Sequence, residues 1–154
     1  MLSVYCIRLP KEANTDDRVT ILVVADYVTR IYMNQELKGV DVIRIRRLDK
    51  GTKFAEAFSY VIRVIQQLQQ DLSYKKFQNV IILMSDREAN YSDSELNTLP
   101  TIYRGAIAKF WTVVLGAKDR NVLSLINKTM HGEYKNIKES CDLVEAYVDI
   151  AQDN

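Results

Sequence analysis

The sequence predicts an α/β domain built on a mainly parallel sheet. Three short, β-branched or aromatic apolar runs, RVTILVVA at 18–25, VIILM at 80–84 and KFWTVVL at 109–115, are each bounded by polar or glycine residues, as buried strands are. Between and after them lie segments whose apolar residues recur every three or four positions: Phe54, Ala57, Phe58, Val61, Ile62, Ile65, Leu68 and Leu72, then Val122, Leu123, Leu125, Ile126 and Met130. Strands alternating with amphipathic helices imply βαβ units.

Residues 1–9 mix the two periodicities, with Val4, Ile7 and Leu9 on one helical face. They are read as the last turns of a helix stopped by Pro10. The run after Asp26 and Tyr27, Val28 to Met33, alternates as a strand does, and the short link predicts an antiparallel hairpin with this strand at the sheet edge. A connection over 34–50 contains a short extended piece at 40–45. It leads through Gly51 to Thr52, the expected cap of the helix that begins at Phe54. A further helix is expected over 94–104, broken near Pro100. After the 109–115 strand, the 120–130 helix stops at Gly132, a glycine suited to a helix C-cap. Residues 133–137 read as a short edge strand and 141–151 as a closing helix.

With 154 residues, one domain over 1–154 is expected, and 47% hydrophobic residues supply its core. The formal charge of +1, from 21 basic against 20 acidic residues, gives no general binder of nucleic acid or anionic membrane. Arg44, Arg46 and Arg47 are read as a solvated strand face. Cys6 and Cys141 stand far apart in no metal-ligand spacing, which indicates reduced thiols. Without a leader-like start or a membrane-length apolar run, a cytoplasmic or organelle-matrix protein is expected. Nucleotide-binding glycine motifs are absent, and a single histidine, His131, argues against serine or cysteine triads. His131 is read instead as complementing a helix dipole.

The hairpin DRVTILVVADYVTRIYMNQEL, the segment DKGTKFAEAFSYVIRVIQQL, the strand and loop NVIILMSDREAN, and the C-terminal stretch from Ala108 to Ala151 occur in one order. Together they resemble a von Willebrand factor type A domain, also called integrin I-like, over about residues 16–151. The resemblance implies a three-layer α/β/α, Rossmann-like fold with one antiparallel edge strand. It also implies a metal-ion-dependent adhesion site made of an Asp-x-Ser-x-Ser loop after the first strand, a threonine and an aspartate. Thr52 and Asp86 match the last two positions, but no Asp-x-Ser-x-Ser occurs in the chain, and Arg87 stands where a glycine is usual. Two oxygen ligands imply at most weak Mg2+, Ca2+ or Mn2+ binding. Asp86 is then a strand-end carboxylate and Thr52 a helix cap.

In the family the first strand lies between the second and fourth, and the resemblance implies that it is missing here. Residues 1–9 could not fill that place in parallel, because 10–17 supply eight residues and a parallel crossover needs a dozen or more. The expected consequence is an upstream continuation, a strand donated by another chain, or an unusual rebuilding of residues 1–9.

Ligands of open α/β sheets sit beyond the carboxyl ends of the strands, which makes Asp86 the leading site residue. The expected binding rim comprises Asp26, Tyr27, Gly51, Arg87, Glu88, Asn90 and Tyr91 around Thr52 and Asp86. The expected function is a non-catalytic, scaffold-like protein–protein interaction domain with a degenerate adhesion site. A second reading is a structural subunit or fragment, in a homo-oligomer or larger assembly, completed by another segment. The third is a small enzyme or receiver-like domain using Asp86.

Overall fold

The computed structural model describes residues 2–10, 18–25, 27–40, 53–70, 77–86, 93–102, 105–116 and 121–138, together with Asp142, Ala146 and Asp149. Among them, β1 (Leu2–Pro10), β2 (Arg18–Val24), β3 (Val28–Glu36), β4 (Phe77–Ser85), β5 (Ile107–Leu115) and β6 (Glu133–Ile137) form one sheet in the order β3-β2-β1-β4-β5-β6. The helices are α1 (Phe54–Gln69), α2 (Asp93–Ile102) and α3 (Asn121–Thr129). The fold is mixed α/β: β4, β5 and β6 run parallel, while β2 and β3 form an antiparallel ribbon.

β1 joins these two parts. Residues 2–10 form a strand rather than helical turns, and of the three expected outcomes for the missing strand it is the unusual rebuilding of the N-terminal segment that fills the middle of the sheet. β1 is antiparallel to both neighbours, with Leu2 opposite Val24 and Ser85, and Arg8 opposite Arg18 and Asn79. The short link to β2 forbids a parallel crossover but suits this reversal. Lodged between two strands, the segment pairs its backbone on both edges, which a local helix preference does not outweigh. Pro10 ends the strand, where its missing N–H costs least. The sheet needs no donated strand. Nor is it mainly parallel by pairing, since three of its five strand junctions are antiparallel.

Alternation along the strands produces two cores. Leu22, Val24, Ile81, Leu83, Phe110 and Val114 share one face with Phe54, Phe58, Val61 and Ile65 of α1, Leu99 of α2, and Leu123 and Ile126 of α3. On the other face, Val80, Ile82, Met84, Trp111, Val113 and Ile137 pack with Ala146. Asp142, Ala146 and Asp149 are helical, and Lys135 of β6 contacts Asp149 at 2.6 Å. The rest of the expected closing helix lies outside the described residues. Burial of all five residues from Val80 to Met84 accounts for the unbroken apolar run in β4.

Several local expectations shift. The N-cap position of α1 is Lys53, without a side-chain capping bond; Thr52 lies outside the described residues, as do residues 41–50. α2 runs through Pro100 to Ile102 instead of breaking there, because a proline in the last turns removes a single ladder bond while Leu99 beside it is fully buried. Leu125 is 46% exposed. β3 extends beyond Met33 to Glu36 through register shifts against β2, with Asn34 at φ 49°. Thr20 Oγ1 accepts the Asn34 N–H at 3.0 Å, and Arg18 donates to the Asn34 carbonyl. Such bulges bend an edge strand away from unwanted pairing.

The end of α3 departs from expectation by one residue. His131 occupies the left-handed position (φ 51°) and donates to Lys128 O, while Gly132 N donates to Asn127 O; this is the Schellman pattern with histidine at C′. Gly132 is needed for space: a Cβ there would lie 2.5 Å from Phe110 O. Chemical denaturation should therefore show Gly132→Ala losing about 1–3 kcal/mol. His131→Gly should gain about 0.5–1 kcal/mol, as relief of left-handed strain exceeds glycine's added chain entropy. Equal effects of the two would contradict this assignment.

Candidate functional site

The register builds a rim at one end of the sheet. Val24, Leu2 and Ser85 are aligned across β2, β1 and β4. Two strand spacings separate the ends of β2 and β4, about 10 Å. Tyr27 follows β2 in the turn and Asp86 follows β4. The turn is closed by the Ala25 N–H donating to Tyr27 O at 3.1 Å. Tyr27 is 62% exposed, the larger of the two exposed apolar or aromatic side chains among the described residues. Asp86 is half-buried and Ser85 beneath it fully buried. A strand terminating in a buried serine holds the following carboxylate at a fixed height over the sheet.

Leu2 and Gly116 also belong to this rim and were missed as site residues. Gly116, at φ 107°, donates its N–H to Ile137 O at 2.8 Å and turns the chain off β5. Its signal was a glycine directly after an apolar strand. Leu2 carried no such signal, because its place depends on the direction of β1.

Lys53 is the described residue next to Thr52, and it is engaged with Glu56 at 2.9 Å on the exposed start of α1. Of the expected site residues, Tyr27 and Asp86 are described, and both lie at this end of the sheet. Asp26, Gly51, Thr52, Arg87, Glu88, Asn90 and Tyr91 lie outside the described residues. Among those described, no three His, Cys, Asp or Glu residues are placed to hold a metal ion. The reversal of β1 matters here. Its C-terminal end, Pro10, lies opposite Phe77 at the far end of the sheet, so the loop after β1 leaves from the edge away from Asp86. An Asp-x-Ser-x-Ser loop following this strand would sit a whole strand length from the carboxylate it must join.

Among the described residues, no helix is long and apolar enough to cross a membrane. Compared with protein-family models, with curated proteins and with solved structures, the chain gives no match.

Proposed function

We propose that the chain is a non-catalytic protein–protein interaction domain of von Willebrand factor A type, with a third layer formed by the helix to which Ala146 belongs. It recognises its partner through the Tyr27 and Asp86 rim without a divalent ion. The observation that carries this reading is the alignment of Val24, Leu2 and Ser85, which sets an exposed aromatic and a half-buried carboxylate on one rigid edge. Exposed aromatics on a fixed support are the usual anchors of protein interfaces, because they bury much area for little lost side-chain freedom. A neighbouring carboxylate supplies polar register. The strand order further supports the family reading, since β1 lies between β2 and β4 as the family's first strand does. Its antiparallel direction departs from the family and carries the loop after β1 away from Asp86.

Two outcomes test this. Partners recovered on immobilised protein should be lost with Tyr27→Ala and kept with Leu125→Ala, an exposed apolar control. The measured cost at Tyr27 should be about 2 kcal/mol or more, roughly 30-fold in Kd. Loss with Leu125→Ala alone would move the interface away from the rim. Calorimetry with Mg2+, Ca2+ and Mn2+ should show no saturable binding, and saturable binding abolished by Asp86→Ala would restore the adhesion-site reading.

A further inference from the structure

The hydroxyl of Thr20, a residue only 2% exposed, sits at the centre of the bulged half of β3. Its oxygen accepts the Asn34 N–H at 3.0 Å, and its proton is donated to the thioether sulfur of Met33, 3.8 Å away. We infer that Met33 is a modification site for peroxides: oxidation of its sulfur to the sulfoxide takes the acceptor from the buried Thr20 hydroxyl and loosens the bulge that shapes this edge of the sheet. Of the three methionines described, Met84 and Met130 lie in the two cores at 6% and 8% exposed, whereas Met33 is half-buried on the outermost strand. A peroxide in water therefore meets Met33 first.

A thioether sulfur carries two lone pairs, and here the Thr20 proton engages one of them. The other attacks one oxygen of the peroxide. The O–O bond breaks as the S–O bond forms, and the second oxygen takes up a proton and leaves as water or an alcohol. Sulfur is oxidised by two electrons and the peroxide is reduced by the same two. With one lone pair held on the protein side, attack comes from the opposite face and yields a single sulfoxide epimer.

The thioether is a weak acceptor to begin with, and bonding to oxygen withdraws further electron density from it. The new oxygen stands on the side away from Thr20, so it does not replace the lost acceptor. A buried hydroxyl deprived of its acceptor is costly; Thr20 turns to find another, and its bond to Asn34 weakens. The left-handed backbone of Asn34 (φ 49°) is held by that bond and by Arg18, which donates to the Asn34 carbonyl at 3.3 Å. Register shifts between Val19 and Ile21 and between Ile21 and Leu22 already interrupt the β2–β3 ladder on this stretch. The oxidation thus acts where regular strand pairing holds the chain least.

Treatment of the folded protein with dilute hydrogen peroxide, read by peptide mass spectrometry and by hydrogen exchange, tests the inference. Met33 should oxidise at least about tenfold faster than Met84 or Met130. The Asn34 amide should then exchange about fivefold faster, the worth of one hydrogen bond, with the Val80 amide unchanged. Methionine sulfoxide reductases fall into two classes, one for each epimer, and one class alone should restore the slow exchange. Met33→Leu should make the Asn34 amide indifferent to peroxide. Thr20→Val, isosteric but without the hydroxyl, should exchange that amide fast before treatment and no faster after it. The inference is overturned if Met33 oxidises no faster than the two core methionines, if its oxidation leaves Asn34 exchange unchanged, or if peroxide speeds that exchange equally in Met33→Leu or in Thr20→Val. Restoration by both reductase classes would overturn the one-sided attack.

Discussion

A strand in the middle of a sheet must satisfy backbone donors and acceptors along both of its edges, and β1 is where this protein meets that requirement. Its nine residues pair with β4 along their whole length and with β2 over most of it. Without them, the β2–β3 ribbon and the parallel β4–β5–β6 segment would each present an open edge. The link over residues 11–17 leaves the strand one direction in which to enter. The alignment of the rim and the loop-free approach of Leu2 to Ser85 follow from that direction.

The consequence for recognition is geometric. In a sheet whose first strand runs parallel to its neighbours, the loops after the first and fourth strands share one end and can supply ligands to one ion. Here the end of β1 lies with the start of β4, and its beginning, Leu2, lies beside Ser85. The rim therefore combines a hairpin turn, a strand-end carboxylate and the Gly116 turn. On the proposed reading, Tyr27 is the contact that this surface offers to a partner.

Where the sequence was legible, local pattern and tertiary environment agreed. Val80 to Met84 read as a strand buried on both faces because both faces are in fact covered, and the heptad-like spacing from Phe54 matched the α1 face that packs on the sheet. The β2–β3 hairpin was legible from alternation and a short turn. Residues 2–10 were not, because Val4, Ile7 and Leu9 fit a helix face as well as a strand, and the pairing that decides between them lies with residues 18–24 and 77–85. Pro10 stops either element, so it could not arbitrate. Pro100 misled in the same manner: its local preference for breaking the helix is outweighed by the packed environment of Leu99. Asp86 could be placed from the abrupt end of an apolar run, whereas its neighbours on the rim depended on strand direction.

The most direct measurement is a cross-strand disulfide in a chain with Cys6→Ala and Cys141→Ala. Ser3 and Met84 are register partners, and opposed residues on antiparallel strands lie about 4.5–5.5 Å apart at Cα, within disulfide reach. Oxidation of the Ser3→Cys, Met84→Cys double variant should give an intramolecular link identified by peptide mass spectrometry, while Ser3→Cys paired with Asn79→Cys should not. A link to position 79 in place of 84 would mean that β1 runs parallel, and no link at either position would remove it from the middle of the sheet.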